Sequence, residues 1–167
     1  MSIYSKKVIN HFQNPHNCGK IKNPDGIGKV GNIVCGDVMY LYIKIGKNKK
    51  KEEIIKNIKF ETFGCVAAIS TSSVVTDLVM GKTLDEAMKL EKNNVINSLE
   101  GLPPIKIHCS ILAIDALSEA IYDYLSKNKR LIPEELAKKH ERIDKERHSV
   151  EEKHKDWVEK EEKMFNK

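Results

Sequence analysis

Two neighbouring β-type segments joined by a short polar loop constrain the fold of this chain most. Residues 38–45 and 54–63 are rich in β-branched and aromatic side chains, and the loop between them holds Gly46 and four lysines. This arrangement is typical of a β-hairpin. Helical periodicity follows over residues 66–80 and 108–127. Strands followed by helices predict an α+β fold, with a small antiparallel sheet and helices packed on one face.

The distribution of charge divides the chain near Pro133. Of its 29 basic and 24 acidic residues, 10 and 11 lie in residues 133–167, which leaves 19 and 13 in residues 1–132. The tail is rich in Glu–Lys pairs four residues apart, in the order that stabilises a helix. We therefore predict a folded domain over residues 1–129 and a long charged helix in the extension over residues 130–167.

The tail has only one apolar position in each heptad. A stable dimeric coiled coil needs two, so this stripe is too narrow for one. We expect a long solvated helix that leans on its own domain or on a partner, with histidines that are solvated and bind no metal. The apolar positions are Leu136, Ile143, Val150, Trp157 and Met164, and the histidines are His140, His148 and His154.

Charge and hydropathy argue against membrane and nucleic-acid partners. No apolar run approaches the roughly 18 residues of a membrane helix, and no hydrophobic segment follows the N-terminus, so we expect a soluble cytoplasmic protein. The lysines of residues 47–51 have no interleaved aromatic residues, which favours a solvated loop over a nucleic-acid site. We interpret the basic excess of residues 1–132 as a docking surface for acidic patches on partner proteins.

Three of the four cysteines fall at junctions between predicted elements. Cys35 precedes the first strand of the hairpin, Cys65 follows the second, and His108 and Cys109 open a helix. Hairpin geometry can bring Cys35 and Cys65 to one end of the sheet, where a packed helix would deliver His108 and Cys109. In a reducing compartment a disulfide framework is not expected. Cys18 lacks a partner pattern and is interpreted as structural.

Asp37 and His108 are candidates to complete a ligand set with these thiols. Three thiolates with a carboxylate or an imidazole suit zinc or an iron–sulfur centre, and a helix N-terminus favours the thiolate form. Spacing alone leaves metal binding and simple burial of the cysteines equally open. An acid at the start of a hydrophobic strand either caps a turn or serves as a ligand or base beside the thiols.

The segment Leu102, Pro103, Pro104, Ile105 and Lys106 stands directly before the His108–Cys109 helix. Two prolines predict an extended, polyproline-like conformation. The segment is either a rigid connection that fixes the start of the helix or a preformed epitope with a low ordering cost for a partner. The residues alone favour neither role over the other.

Several motifs occur together in one order. They are Tyr4-Ser5, His11-Phe12-Gln13-Asn14-Pro15, Cys35-Gly36-Asp37-Val38-Met39, Gly64-Cys65 with Ala67-Ala68-Ile69, Leu102-Pro103-Pro104-Ile105-Lys106, and His108-Cys109-Ser110. Together they resemble the signature of IscU/NifU-type iron–sulfur cluster assembly scaffolds over about residues 1–128. The interval between Cys65 and Cys109 lacks the insertion of the related SufU branch. Val66 stands where family members usually have glycine, and the tail resembles no module of longer NifU proteins.

The resemblance implies a carrier and not an enzyme. A transient [2Fe–2S] cluster would be built from iron and from sulfur supplied by a cysteine desulfurase, then passed to apo acceptor proteins. It implies that Cys35, Cys65 and Cys109 are cluster ligands and sulfur acceptors. Asp37 would be a metal ligand that keeps the cluster labile, and His108 an alternative ligand, with zinc possible at the same site.

The resemblance also implies that residues 102–106 bind an Hsp70-type chaperone, and it is compatible with a monomer or a cluster-bridged homo-oligomer. Two other functions stay open from the sequence. One is a zinc-bound sulfurtransferase that accepts persulfide sulfur at Cys109. The other is a metal-binding interaction module whose charged tail is the functional part.

Overall fold

A computed structural model describes residues 2–32 and 36–165, with the backbone alone at residues 154 and 156–165. No helix in these described ranges is long and apolar enough to cross a lipid bilayer. The elements in chain order are α1 (Lys6–Gln13), β1 (Gly26–Gly31), β2 (Val38–Lys47), β3 (Glu53–Phe63), α2 (Val66–Val79), α3 (Leu84–Met88), α4 (Lys92–Ser98), a 3-10 turn (Pro104–Lys106), α5 (Ile107–Lys127) and α6 (Glu134–Phe165).

A three-stranded antiparallel sheet in the order β1-β2-β3 forms the centre of the fold. The predicted hairpin is β2 and β3, whose alternate side chains Met39, Leu41, Ile43, Ile58 and Phe60 are fully buried. Helix α5 packs on β1 and β2, and α2 packs on β3. The predicted α+β fold with an antiparallel sheet and a long C-terminal helix is confirmed.

The patterns above predict no strand over β1, a segment punctuated by three glycines. A Cβ atom on Gly28 would overlap the carbonyl oxygen of Ala116, and one on Gly26 would overlap that of Ala120. Both carbonyls belong to α5, so the helix lies directly on the strand backbone. Glycine is therefore required here by the close approach of a helix and not by a turn.

The charged tail is one helix, α6, that packs on the domain through part of its heptad stripe. Leu136, Ile143 and Val150 are buried against α5 and β1. Lys29 of β1 also pairs with Glu151 at 2.8 Å. Of the two expected supports, the domain itself or a partner, the described part of the helix shows packing on the domain. Trp157 and Met164 lie outside the described side chains.

Polar groups at the interface between α5 and α6 surround His140, which was expected to be solvated. His140 is half-buried, its Nδ1 lies 2.9 Å from Oε1 of Glu119, and its ring stacks on Tyr122 with the centroids 3.7 Å apart. The prediction of a solvated His140 is wrong because α5 presents a buried carboxylate to it. His148 is exposed, as expected, and His154 lies outside the described side chains.

Candidate metal–sulfur site

Asp37 lies directly before β2, beside two backbone hydrogen bonds. The backbone N–H of Asn32 donates to the carbonyl of Asp37 at 2.9 Å, and the N–H of Gly36 donates to the carbonyl of Asn32 at 2.9 Å. Gly36 has a φ of 70°. A positive φ of this size favours glycine, the residue found at position 36. The Asp37 side chain is only 6% exposed. Cys35, the predicted first thiol, lies outside the described residues.

Gly64 makes room for the Asp37 carboxylate. A Cβ atom on Gly64 would lie 3.0 Å from Cγ and 3.1 Å from Oδ1 of Asp37, and 2.8 Å from Cβ of Ala68. These separations are shorter than ordinary van der Waals contacts. The bare backbone of Gly64 therefore allows the carboxylate to lie beside the end of β3, next to an open cavity of about 300 Å³.

Cys65 and Cys109 come together from the starts of two helices. Cys65 is the residue that precedes α2, and Cys109 is buried in the first turn of α5. Their sulfur atoms are 4.0 Å apart. Val66 is the first helical residue of α2, a backbone conformation that valine adopts without strain, so the usual glycine is not required at this position.

The side chains of Asp37, His108 and Cys109 converge with ligand atoms that all lie within 4.8 Å of one another. The Nε2 atom of His108 is 3.6 Å from the sulfur of Cys109. Among the described residues, Oδ2 of Asp37 is buried without a hydrogen-bond partner. An unsatisfied buried carboxylate oxygen is costly, so its position beside the Cys109 thiol and the His108 imidazole suits a group that receives a cation.

Two further residues contribute to the electrostatics around Cys65. The charge of Cys65 is the main cause that raises the pKa of the Lys106 ammonium. Burial raises the pKa of the Tyr4 phenol, and the charge of Cys65 adds to this effect. The sequence placed Lys106 only in the partner-binding segment and did not assign Tyr4, because no local pattern links either residue to Cys65.

The segment of residues 102–106 is extended only in its first half. Pro103 has φ −55° and ψ 140°, whereas Pro104–Lys106 forms a 3-10 turn whose Lys106 N–H donates to the Pro103 carbonyl at 2.8 Å. The prediction of a wholly extended segment is therefore wrong, since the φ of proline also fits the first turn of a helix. Ile105 is 77% exposed at this turn.

Two exposed features complete the surroundings. Phe63, immediately before Gly64 and Cys65, is 86% exposed. Cys18 is also exposed, and its backbone forms a bridge with Phe60 that extends the free edge of β3. Its structural contribution is thus made by the backbone and not by burial of the thiol.

Residues 3–131 match the family described as NifU-like N terminal domain. The chain is 54% identical over 129 residues to the iron-sulfur cluster assembly scaffold protein IscU 1 of Archaeoglobus fulgidus, covering 77% of this chain and 81% of that protein. It is 51% identical over 127 residues to the scaffold protein IscU of Escherichia coli K12, covering 74% and 95%. The fold is similar to a crystal structure described as a putative iron-sulfur cluster assembly scaffold protein for the SUF system from Fervidobacterium islandicum, with a TM-score of 0.56, 24% identity, and coverage of 71% and 96%.

Proposed function

Because the chain belongs to the family of NifU-like N-terminal domains, we propose that it is a scaffold on which iron–sulfur clusters are assembled and from which they pass to apo acceptor proteins. Relatives with more than half of their aligned residues identical are named as such scaffolds. A scaffold holds its cluster as cargo, so the site must bind metal and sulfur well enough to assemble the cluster and weakly enough to release it.

The observation that carries this proposal is the buried, unpartnered oxygen of Asp37 beside His108 and Cys109. The proposed ligands are Cys35, Asp37, Cys65 and Cys109, with His108 as the alternative fourth ligand. Cys35 enters the set through its motif alone. Thiolates are soft ligands and a carboxylate is a hard one, so Asp37 supplies the weaker bond that favours release of a transient [2Fe–2S] cluster. The same ligand set accepts zinc.

The thiols also suit acceptance of sulfur from a desulfurase persulfide. A thiolate of the scaffold attacks the terminal sulfur, a new S–S bond forms, the old one breaks, and the desulfurase thiolate leaves. Of Cys65 and Cys109, Cys65 is the better placed, because it is only partly buried and lies beside the Lys106 ammonium. Cys35 and Cys109 are the other proposed acceptors. The protein itself is a carrier without turnover chemistry.

The partners follow from this role. A cysteine desulfurase supplies sulfur, apo proteins receive the cluster, and an Hsp70-type chaperone binds residues 102–106, where Ile105 is exposed. We place these events in the cytoplasm and on a monomer or a cluster-bridged homo-oligomer. Residues 1–129 form the proposed scaffold domain, and residues 130–167 form an extension that stabilises it through α6.

Anaerobic reconstitution with iron, cysteine and a desulfurase tests the proposal. We expect a [2Fe–2S] absorbance spectrum that moves to an apo acceptor when the two proteins are mixed. The alternative, a zinc-bound sulfurtransferase, predicts tight zinc, persulfide on Cys109 and no cluster. A cluster that never forms under these conditions contradicts the scaffold role.

A further inference from the structure

A second group of ligand-type side chains, which includes no cysteine, lies between α1 and α2. It consists of His11 in the last turn of α1, His16 just beyond Pro15, and Asp77 near the end of α2. One ligand atom from each of the three residues can be chosen so that all lie within 4.8 Å of one another. The Asn14-Pro15 sequence ends α1 and turns the chain, which brings both histidines to the same side of α2.

The geometry within this group is compact and open to solvent. The two imidazole rings have centroids 4.7 Å apart, and Nδ1 of His16 lies 2.6 Å from Oδ2 of Asp77. The side chains of His16 and Asp77 are 48% and 41% exposed. A hydrated cation can therefore reach the ligand atoms without any opening of the fold.

Hydrogen bonds to neighbouring residues orient the group. The hydroxyl of Ser73, on α2, lies 2.8 Å from Nδ1 of His11 and accepts the backbone N–H of His16 at 2.8 Å. The amide of Asn17 donates to Thr76 at 3.0 Å and reaches Oδ1 of Asp77 at 3.4 Å. Metal-binding imidazoles and carboxylates are typically held by such outer contacts.

We propose that His11, His16 and Asp77 form a second binding site, for a divalent first-row transition-metal ion such as Zn²⁺, with water at the remaining positions. Two imidazoles and one carboxylate suit these borderline ions, and an exposed three-residue set leaves coordination positions open. With Nδ1–H of His11 donated to Ser73, its Nε2 faces the ion. Binding releases any proton shared between His16 and Asp77.

The consequence is a metal clip between the N-terminal helix and α2. His11 and His16 lie on one side of the contact and Asp77 on the other, so the bound ion fastens residues 5–16 to the core. The site uses none of the proposed cluster ligands. Its failure would leave the scaffold function untouched, and failure of cluster assembly would leave this site untouched.

Calorimetric titration of the full-length chain with Zn²⁺ tests the proposal. We expect two classes of site, of which one loses about tenfold or more in affinity in His16→Ala and in Asp77→Asn. Cys65→Ser should weaken the other class and spare this one. The matched control is His148→Ala, an exposed histidine that hydrogen-bonds within its own helix and should change neither class.

Nuclear magnetic resonance supplies a readout at the atoms themselves. The imidazole nitrogens of His11 and His16 should shift together as the second class fills, and amides of α1 should exchange more slowly. Retention of the helical circular dichroism spectrum and of the thiol-dependent class shows that each variant is folded. A second class that survives both variants, or that falls equally in His148→Ala, overturns the proposal.

Discussion

The carboxylate of Asp37 lies against the bare backbone of Gly64, so closely that a methyl group on Gly64 would stand 3.0 Å from Cγ of Asp37. The two residues are on opposite sides of the hairpin opening, before β2 and after β3. The glycine thus leaves room for the side chain of a proposed ligand.

Gly64→Ala should displace Asp37 and weaken the metal site. Since the added methyl group also meets Cβ of Ala68 at 2.8 Å, we expect a loss of about 1–3 kcal/mol in the free energy of unfolding, measured by urea denaturation. The zinc affinity of the thiol site should fall as well. In an Asp37→Ala background the same substitution should no longer change that affinity. An undiminished effect in that background would show that the methyl group does not act through Asp37.

Asp37→Ala should retain the cluster longer and transfer it more slowly. Removal of the carboxylate leaves the softer thiolate and imidazole ligands. A decrease of roughly tenfold in the transfer rate corresponds to about 1.4 kcal/mol in the activation free energy of transfer. Transfer of the [2Fe–2S] absorbance to an apo acceptor measures it. The control is Asp85→Ala, an exposed acid on α3. Unchanged lifetime and transfer kinetics would contradict the assigned role of Asp37.

Gly28→Ala should damage the packing of α5 on β1. The new methyl group would overlap the backbone of Ala116, which cannot rotate away, so we expect a cost near or above the upper end of the roughly 1–3 kcal/mol range for overpacking. Gly31→Ala on the same strand is the control, because its methyl group would meet Val150 at an ordinary 3.5 Å. Equal urea midpoints for the two variants would refute the close-approach argument.

Arg142→Ala should lower the free energy of unfolding, because it removes the Arg142 hydrogen bond to the buried Asp115 carboxylate. Arg142 donates to Asp115 at 3.0 Å, and loss of a partner to a buried charged group costs about 1–3 kcal/mol. Lys145→Ala, whose pair with Glu141 is exposed, should cost less than about 0.5 kcal/mol. Thermal or urea unfolding of both variants measures the difference.

The effect of Arg142→Ala should also depend on pH. Burial raises the pKa of Asp115 above its unfolded value of 3.8, so the folded state favours the protonated acid. The stability that this group contributes is present below the unfolded pKa and is lost as the pH rises through the folded pKa. Removal of Arg142 raises the folded pKa further, so the variant should be destabilised more at pH 7 than near pH 4. Equal destabilisation at both values would rule out an effect through Asp115.

The sequence by itself determined the elements whose signals are local. The β-type composition of β2 and β3 and the Glu–Lys spacing of α6, where Glu134–Lys138 and Glu141–Lys145 form ion pairs, each depend on residues a few positions apart. The motifs also predict the kinds of ligand at the site, which are thiol, carboxylate and imidazole. Such features depend on side-chain type and spacing within one element, which a short stretch of chain encodes alone.

Only the tertiary structure decided how distant residues meet. Strand β1 shows no strand pattern because its glycines leave room for the backbone of α5, which lies almost ninety residues further along the chain. The meeting of Asp37 with His108, the room that Gly64 leaves, and the burial of His140 by Glu119 all depend on packing between elements. Packing brings together side chains that no local pattern couples, because their separation is set by the summed geometry of the elements between them.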